Sequence, residues 1–266
     1  MQHLDFDQQF DELNAFTDAL MRQYVNLKFF EVSIDYVHYK ERREAMKKLV
    51  GQLNELESIE FNDCKILDTN TLLEILDCCN RETLEEIIIL HSGTATKVKR
   101  NLPFPIFHNV TRLTLKLNDE DMVKILPVLA PNVSDLRVYR AFVNSEKDED
   151  FTEFISQYAE SLRSLQIEIS TQFGRISCPF FQNIRFNKLE KLSLKSASYV
   201  DDGRFIQVST GNCLKELTLI SEVSEHFVND SWPVFAGVKK LHLYQIFLVS
   251  PCKSKENLYF YFLFYF

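Results

Sequence analysis

The side chains able to ligate a metal or attack a substrate are thinly spread in this chain. Its six histidines, at positions 3, 38, 91, 108, 226 and 242, occur singly, with no HExxH and no cysteine partner at ligand spacing. The six cysteines (Cys64, Cys78, Cys79, Cys178, Cys213, Cys252) form no CxxC and no regular pairing. That pattern predicts small reduced core residues of an intracellular protein, without a structural disulfide. There is no GxSxG, Walker loop or GxGxxG, and six glycines leave little material for a phosphate cradle. His91-Ser92-Gly93 has the residue types of a nucleophile turn, but it falls where a polar turn is expected in any case. The acids Asp119/Asp121 and Asp148/Glu149/Asp150 are explained as carboxylates at helix starts, facing free N–H groups, rather than as acid–base pairs. Catalysis needs a convergent set of groups, so the sequence predicts no enzyme, no metal site and no cofactor.

The elements that would carry any other function are abundant. At 266 residues, 45% apolar and 26% charged, the chain can bury a large core. Its formal charge of −8 disfavours a nucleic-acid binder, because Lys97, Lys99 and Arg100 form the one small basic cluster. The start, MQHLDFDQQFDEL, carries acids where a signal peptide needs a basic flank and an apolar run, which predicts a cytoplasmic or nuclear protein. Sequons at Asn109, Asn132 and Asn229 would matter only in a secreted chain.

Apolar residues recur at positions 1, 4 and 6 of nine segments: Leu27/Phe30/Val32, Leu56/Ile59/Phe61, Leu84/Ile87/Ile89, Val110/Leu113/Leu115, Val133/Leu136/Val138, Leu162/Leu165/Ile167, Leu189/Leu192/Leu194, Leu214/Leu217/Leu219 and Val238/Leu241/Leu243. Their first members lie 23–29 residues apart. A helix would repeat at three and four, and a half-buried strand at two; three followed by two fits neither alone. The triplets resemble the LxxLxL signature of leucine-rich repeats, whose period of about 20–29 residues brackets these spacings. That family adds Asn or Cys at position 9, which Cys64 and Asn118 match, while Asp35, Ser92, Ala141, Ser170, Ala197, Glu222 and Ile246 depart from it. The resemblance implies an α/β leucine-rich-repeat solenoid with a parallel concave sheet and mixed helical and irregular convex returns. Positions 4 and 6 would flank one outward residue on a short strand, and position 1 would enter from the preceding turn.

Helical returns are expected over Tyr36–Leu53, Asn70–Cys79, Asp119–Leu129 and Lys147–Ser161, where apolar residues line one face. Irregular returns are expected over Lys99–His108 and Gly174–Asn187, broken by Pro103, Pro105 and Pro179, with Phe104, Phe107, Phe180, Phe181 and Phe186 filling the core. Residues 1–26 read as a partial first repeat, Met1/Leu4/Phe6, with a helix over Asp7–Tyr24. The solenoid of about nine repeats then runs over 27–249, and 250–266 is an apolar tail. LYFYFLFYF at 258–266 is too short to span a bilayer at about 20 residues, so no membrane role is predicted; it reads as a strand covering the last coil or as an artefact, ENLYF resembling the start of a protease-tag site.

Alternation places positions 3, 5 and 7 of each strand outward. The first coils then present Asp5, Asp7, Glu31, Glu60 and Glu86. Later coils present Arg112, Lys116, Arg137, Lys191, Lys195 and Lys240 against Asp135, Glu168 and Glu216, with Tyr139, His242 and Tyr244 among them. The expected function is a non-catalytic protein-interaction module binding an acidic partner segment through Arg112, Arg137, Tyr139, Lys191, Lys195, Lys240, His242 and Tyr244. The style of repeat is similar to the substrate-recognition domains of F-box proteins, which bring targets to a ubiquitin ligase, although no F-box-like segment precedes the array. The alternatives are a free-standing scaffold, a truncated repeat product, or a secreted receptor fragment.

Overall fold

Successive apolar triplets are joined by one recurring backbone geometry in the computed structural model of the chain. The carbonyl of the residue after the triplet's first member accepts two N–H groups from the next coil. Lys28 O accepts from Glu57 and Ser58 at 2.8 and 2.9 Å, Glu57 O from Glu85 and Glu86 at 2.8 and 3.0 Å, and Glu85 O from Thr111 and Arg112 at 3.0 and 3.1 Å. The pattern returns with Ser134 O, Arg163 O, Glu190 O and Lys215 O, the last accepting from Lys239 and Lys240 at 2.8 and 3.0 Å. In these seven turns the pair of donors that enters the strand is thereby satisfied by the coil before it.

The structure describes residues 26–33, 40–62, 69–90, 105–117, 120–140, 148–169, 184–196, 213–220, 237–244 and 246–249, with Ala19, Thr210, 223–224, 259–260 and 263–264. The Asp7–Tyr24 helix apart from Ala19, the position-9 residues Cys64 and Asn118, and Phe104, Phe180 and Phe181 lie outside them. The chain forms two compact units, Met1–Val133 and Ser134–Phe266.

The first unit holds strands β1 (Phe29–Ser33), β2 (Ser58–Asn62), β3 (Glu86–Leu90) and β4 (Arg112–Leu117), all parallel and in chain order. Phe30, Ile59, Ile87 and Leu113 stand in one register row, and Val32, Phe61, Ile89 and Leu115 in another. Both rows are buried, at 0–5% exposure. Helix α1 (Lys40–Val50) returns β1 to β2, α2 (Thr69–Leu76) returns β2 to β3, and α3 (Glu120–Leu129) follows β4. The first and third lie inside their expected ranges, and α2 starts one residue before its own, at Thr69 rather than Asn70. Their buried sides are Ala45, Met46, Leu49 and Val50; Leu72, Leu73, Ile75 and Leu76; and Val123, Ile125 and Leu126. Pro127 sits inside α3, where it removes one intrahelical donor without ending the helix. Helices α1 and α2 meet through Glu74, which faces Arg43 Nε at 3.8 Å and Lys47 Nζ at 3.6 Å. The irregular segment before β4 buries Phe107 completely, and Phe107 N donates to Leu129 O at 2.8 Å.

The second unit repeats the plan with β5 (Asp135–Arg140), helix α4 (Asp148–Gln157), β6 (Ser164–Ile169), β7 (Lys191–Ser196), β8 (Glu216–Ile220) and β10 (Lys240–Tyr244), its strands again parallel in that order. One register row is Leu136, Leu165, Leu192, Leu217 and Leu241, all buried. Helix α4 buries Phe151, Phe154 and Ile155, and Tyr158 just beyond it is 1% exposed, its ring edge-on to Phe154 at 5.5 Å. Phe186 fills the core where β6 returns to β7 without a described helix. Strands β9 (Val223–Ser224), β11 (Ile246–Val249) and β12 (Tyr259–Phe260) make a second small sheet, and β13 (Leu263–Phe264) pairs antiparallel with Leu241–His242 of β10. The two units are thus α/β with parallel strands in chain order, in which every described position 4 and position 6 side chain is buried. Among the described residues no helix is long and apolar enough to cross a membrane.

Candidate protein-interaction surface

Before four of the triplets, the preceding residue uses its side chain to hold neighbouring coils together. Thr83 Oγ1 donates to Asn54 O at 3.2 Å, Asn109 Nδ2 to Glu82 O at 2.7 Å, Asn132 Nδ2 to His108 O at 2.9 Å, and Cys213 Sγ to Asn187 O at 3.1 Å. In every case the acceptor is the carbonyl two residues before the preceding triplet begins. Two sequons thereby acquire a structural explanation: Asn109 and Asn132 are donors at this position, followed by a core valine and an outward Thr or Ser. The ladder escaped the sequence reading because the donors are of three chemical kinds, hydroxyl, carboxamide and thiol; a recurring short polar residue before the triplet was its signal.

With the coils aligned in this way, positions 3, 5 and 7 form columns on the outward sheet face of each unit. In the second unit the columns are Asp135, Ser164, Lys191, Glu216 and Lys240; Arg137, Gln166, Ser193, Thr218 and His242; and Tyr139, Glu168, Lys195 and Ile220, followed by the Tyr244 backbone position. Most expected cations here have an acid beside them. Lys195 Nζ bonds Glu168 at 2.7 Å, Arg137 Nε lies 3.7 Å from Asp135, and Glu216 is shared by Lys191 at 4.0 Å and His242 Nε2 at 3.7 Å. Lys240 is exposed and has no ion-pair partner among the described residues. Tyr139 is half-buried. The Tyr244 side chain lies outside the described residues.

Of the eight expected site residues, the structure gathers Lys191, Lys240 and His242 around Glu216, and places Arg137 and Tyr139 together on β5. Arg112 belongs to the first unit, 3.6 Å from Glu85 and 3.8 Å from Glu86. The sequence reading missed the neutral central column of Gln166, Ser193 and Thr218, which has no charge to mark it. Lateral ion pairs run beside these columns at position 2. Lys28 and Glu57 bond at 2.6 Å, which raises the Lys28 pKa, and the Lys215–Glu190 contact at 2.9 Å lowers that of Glu190.

The remaining reactive groups are subdued. Burial pushes the Cys79 thiol up to about 12, and raises Cys78 as well, so neither has thiolate character at neutral pH. Among the described residues no group of three His, Cys, Asp or Glu side chains could hold a metal ion. No known protein family matches the chain, and no curated protein is detectably similar to it.

Proposed function

We propose that the chain is a non-catalytic protein-binding module of the leucine-rich-repeat type, cytoplasmic or nuclear, whose second unit engages an acidic segment of a partner on its outward sheet face. The observation that carries this reading is the row of exposed or half-buried Arg137, Lys191, Lys195 and Lys240 held at strand spacing by the carbonyl ladder. Their internal acids do not cancel the attraction. Exposed ion pairs contribute about 0–1 kcal/mol, and the contacts of Lys191 and His242 with Glu216 are 4.0 and 3.7 Å, so a partner carboxylate can replace Glu216 at little cost. Lys240, beside Glu216 in register, is exposed and forms no ion pair among the described residues. Rigid strands reduce the ordering cost of binding, and Tyr139 adds aromatic contact area beside Arg137. Recognition of ubiquitin-ligase substrates, as in the repeat domains of F-box proteins, is the specialisation that the repeat style suggests.

The test is a pull-down from cell extract with the parent chain and the Arg137→Glu/Lys191→Glu variant, at low and moderate salt. The parent should retain partners that salt releases and the variant should lose them. Equal recovery by both proteins would reduce this face to solvated surface.

A further inference from the structure

The outward face of the first unit has a chemistry of its own. Glu31 and Glu60 are direct neighbours in the parallel register of β1 and β2, Glu60 stands opposite Ile88 of β3, and Asn62 stands opposite Leu90. Glu86, two residues before Ile88 on the same face, accepts from Ser58 Oγ at 3.1 Å, and Glu31 accepts from Asn62 Nδ2 at 3.2 Å. Of these three acids only Glu86 has Arg112 beside it; no cation among the described residues forms an ion pair with Glu31 or Glu60. Strand β3 reads EIIIL, apolar on both faces, so Ile88 and Leu90 stand half-buried on the outward side, and Phe29 of β1 is 37% exposed. Strands that face water on one side normally alternate, and like charges placed directly opposite repel. Burial and the neighbouring Glu31 and Glu86 raise the Glu60 pKa above the ordinary carboxylate range. This face therefore combines two carboxylates, Glu31 and Glu60, that form no ion pair among the described residues, with an adjoining apolar strip, both of which a covering basic and apolar partner would satisfy.

We propose that the outward face of β1–β3 docks an extended segment of another protein in which basic and apolar side chains face the same way, Lys or Arg pairing with Glu60 and Glu31 and an apolar side chain resting on Ile88 and Leu90. Side chains two residues apart in an extended segment are separated by about 7 Å, and neighbouring strands by about 4.8 Å, so one such pair can cover Glu60 and Ile88 together. The contacts are the reverse in sign of those proposed for the second unit, and either proposal can fail while the other stands.

Three short labelled peptides test it by fluorescence anisotropy with the full chain: Lys alternating with Leu, Lys alternating with Ser, and Glu alternating with Leu. The Lys–Leu peptide should bind tightest. Glu60→Gln should weaken it by about tenfold and Glu60→Lys further, Ile88→Ser should reduce its advantage over Lys–Ser, and Arg137→Glu/Lys191→Glu should leave it unchanged. Glu60→Gln removes a repulsion within the fold, so it keeps the test valid if Glu60→Lys does not fold. Equal binding of Lys–Leu and Lys–Ser, or Lys–Leu affinity unchanged in Glu60→Gln, would overturn the proposal. Stronger binding of Glu–Leu than of Lys–Leu would overturn it too.

Discussion

The Asn132 carboxamide donates its Nδ2 hydrogen to the backbone carbonyl of His108 at 2.9 Å, joining the turn before one triplet to the turn before the next. Asn109 makes the same bond to Glu82 one coil earlier, at 2.7 Å. Asn132→Asp would set a carboxylate against that carbonyl oxygen and leave it without its donor, destabilising the chain by about 1–2 kcal/mol. Asn132→Thr keeps a donor, as Thr83 does naturally, and should cost less. Urea denaturation of both variants checks the order; equal midpoints would show that the ladder contributes nothing measurable.

Leu165 and Leu192 are paired in register on neighbouring strands and are each 1% exposed. Truncation of either to Ala should destabilise by about 2–5 kcal/mol, through lost transfer energy and the cavity left behind. Because the two side chains adjoin, the double variant should depart from the sum of the singles. A denaturation midpoint unmoved by either single variant would contradict their burial.

Tyr158 is buried, and its hydroxyl has no hydrogen-bond partner among the described residues. Desolvation holds its pKa far above the ordinary phenol value, so the neutral form is the buried one. A buried hydroxyl without a partner is a cost that Tyr158→Phe removes while preserving the edge-on contact with Phe154. That variant should be neutral or more stable by up to about 1 kcal/mol. A marked loss of stability on calorimetry would mean that the hydroxyl is satisfied in solution.

Glu60 couples stability to pH. Its pKa is raised on folding, by burial first and then by Glu31 and Glu86, so the folded chain binds this proton more tightly than the unfolded one. The resulting stabilisation is fully present below the unfolded pKa and is lost as pH rises through the folded value. Glu60→Gln mimics the neutral carboxyl. It should therefore raise Tm at pH 7 and confer no gain below about pH 4. An equal gain at both pH values, or a loss at pH 7, would refute this account.

The four helical returns were legible because spacing alone reports them: apolar residues at three and four, such as Leu49, Val50 and Leu53 or Leu72, Leu73 and Leu76, bring one face to the core. The triplets were legible for a related reason, since strand alternation puts positions 4 and 6 on one side wherever the strand lies. The end of the last return was not, because the polar Glu160 and Ser161 suit a helix or the chain just outside it, and α4 stops at Gln157.

By itself the sequence determined which residues point inward and which outward, because that depends only on the period of each element. Tertiary structure alone decided what each outward charge meets. Lys195 finds Glu168, and Lys191 finds Glu216, across 27 and 25 positions of chain, through strand register. Glu60 meets Glu31 on one side and Ile88 on the other by the same rule. Period is a local property of the backbone; register is set by the length and packing of the return between two strands, which varies here from coil to coil and leaves no mark on the charged residues themselves.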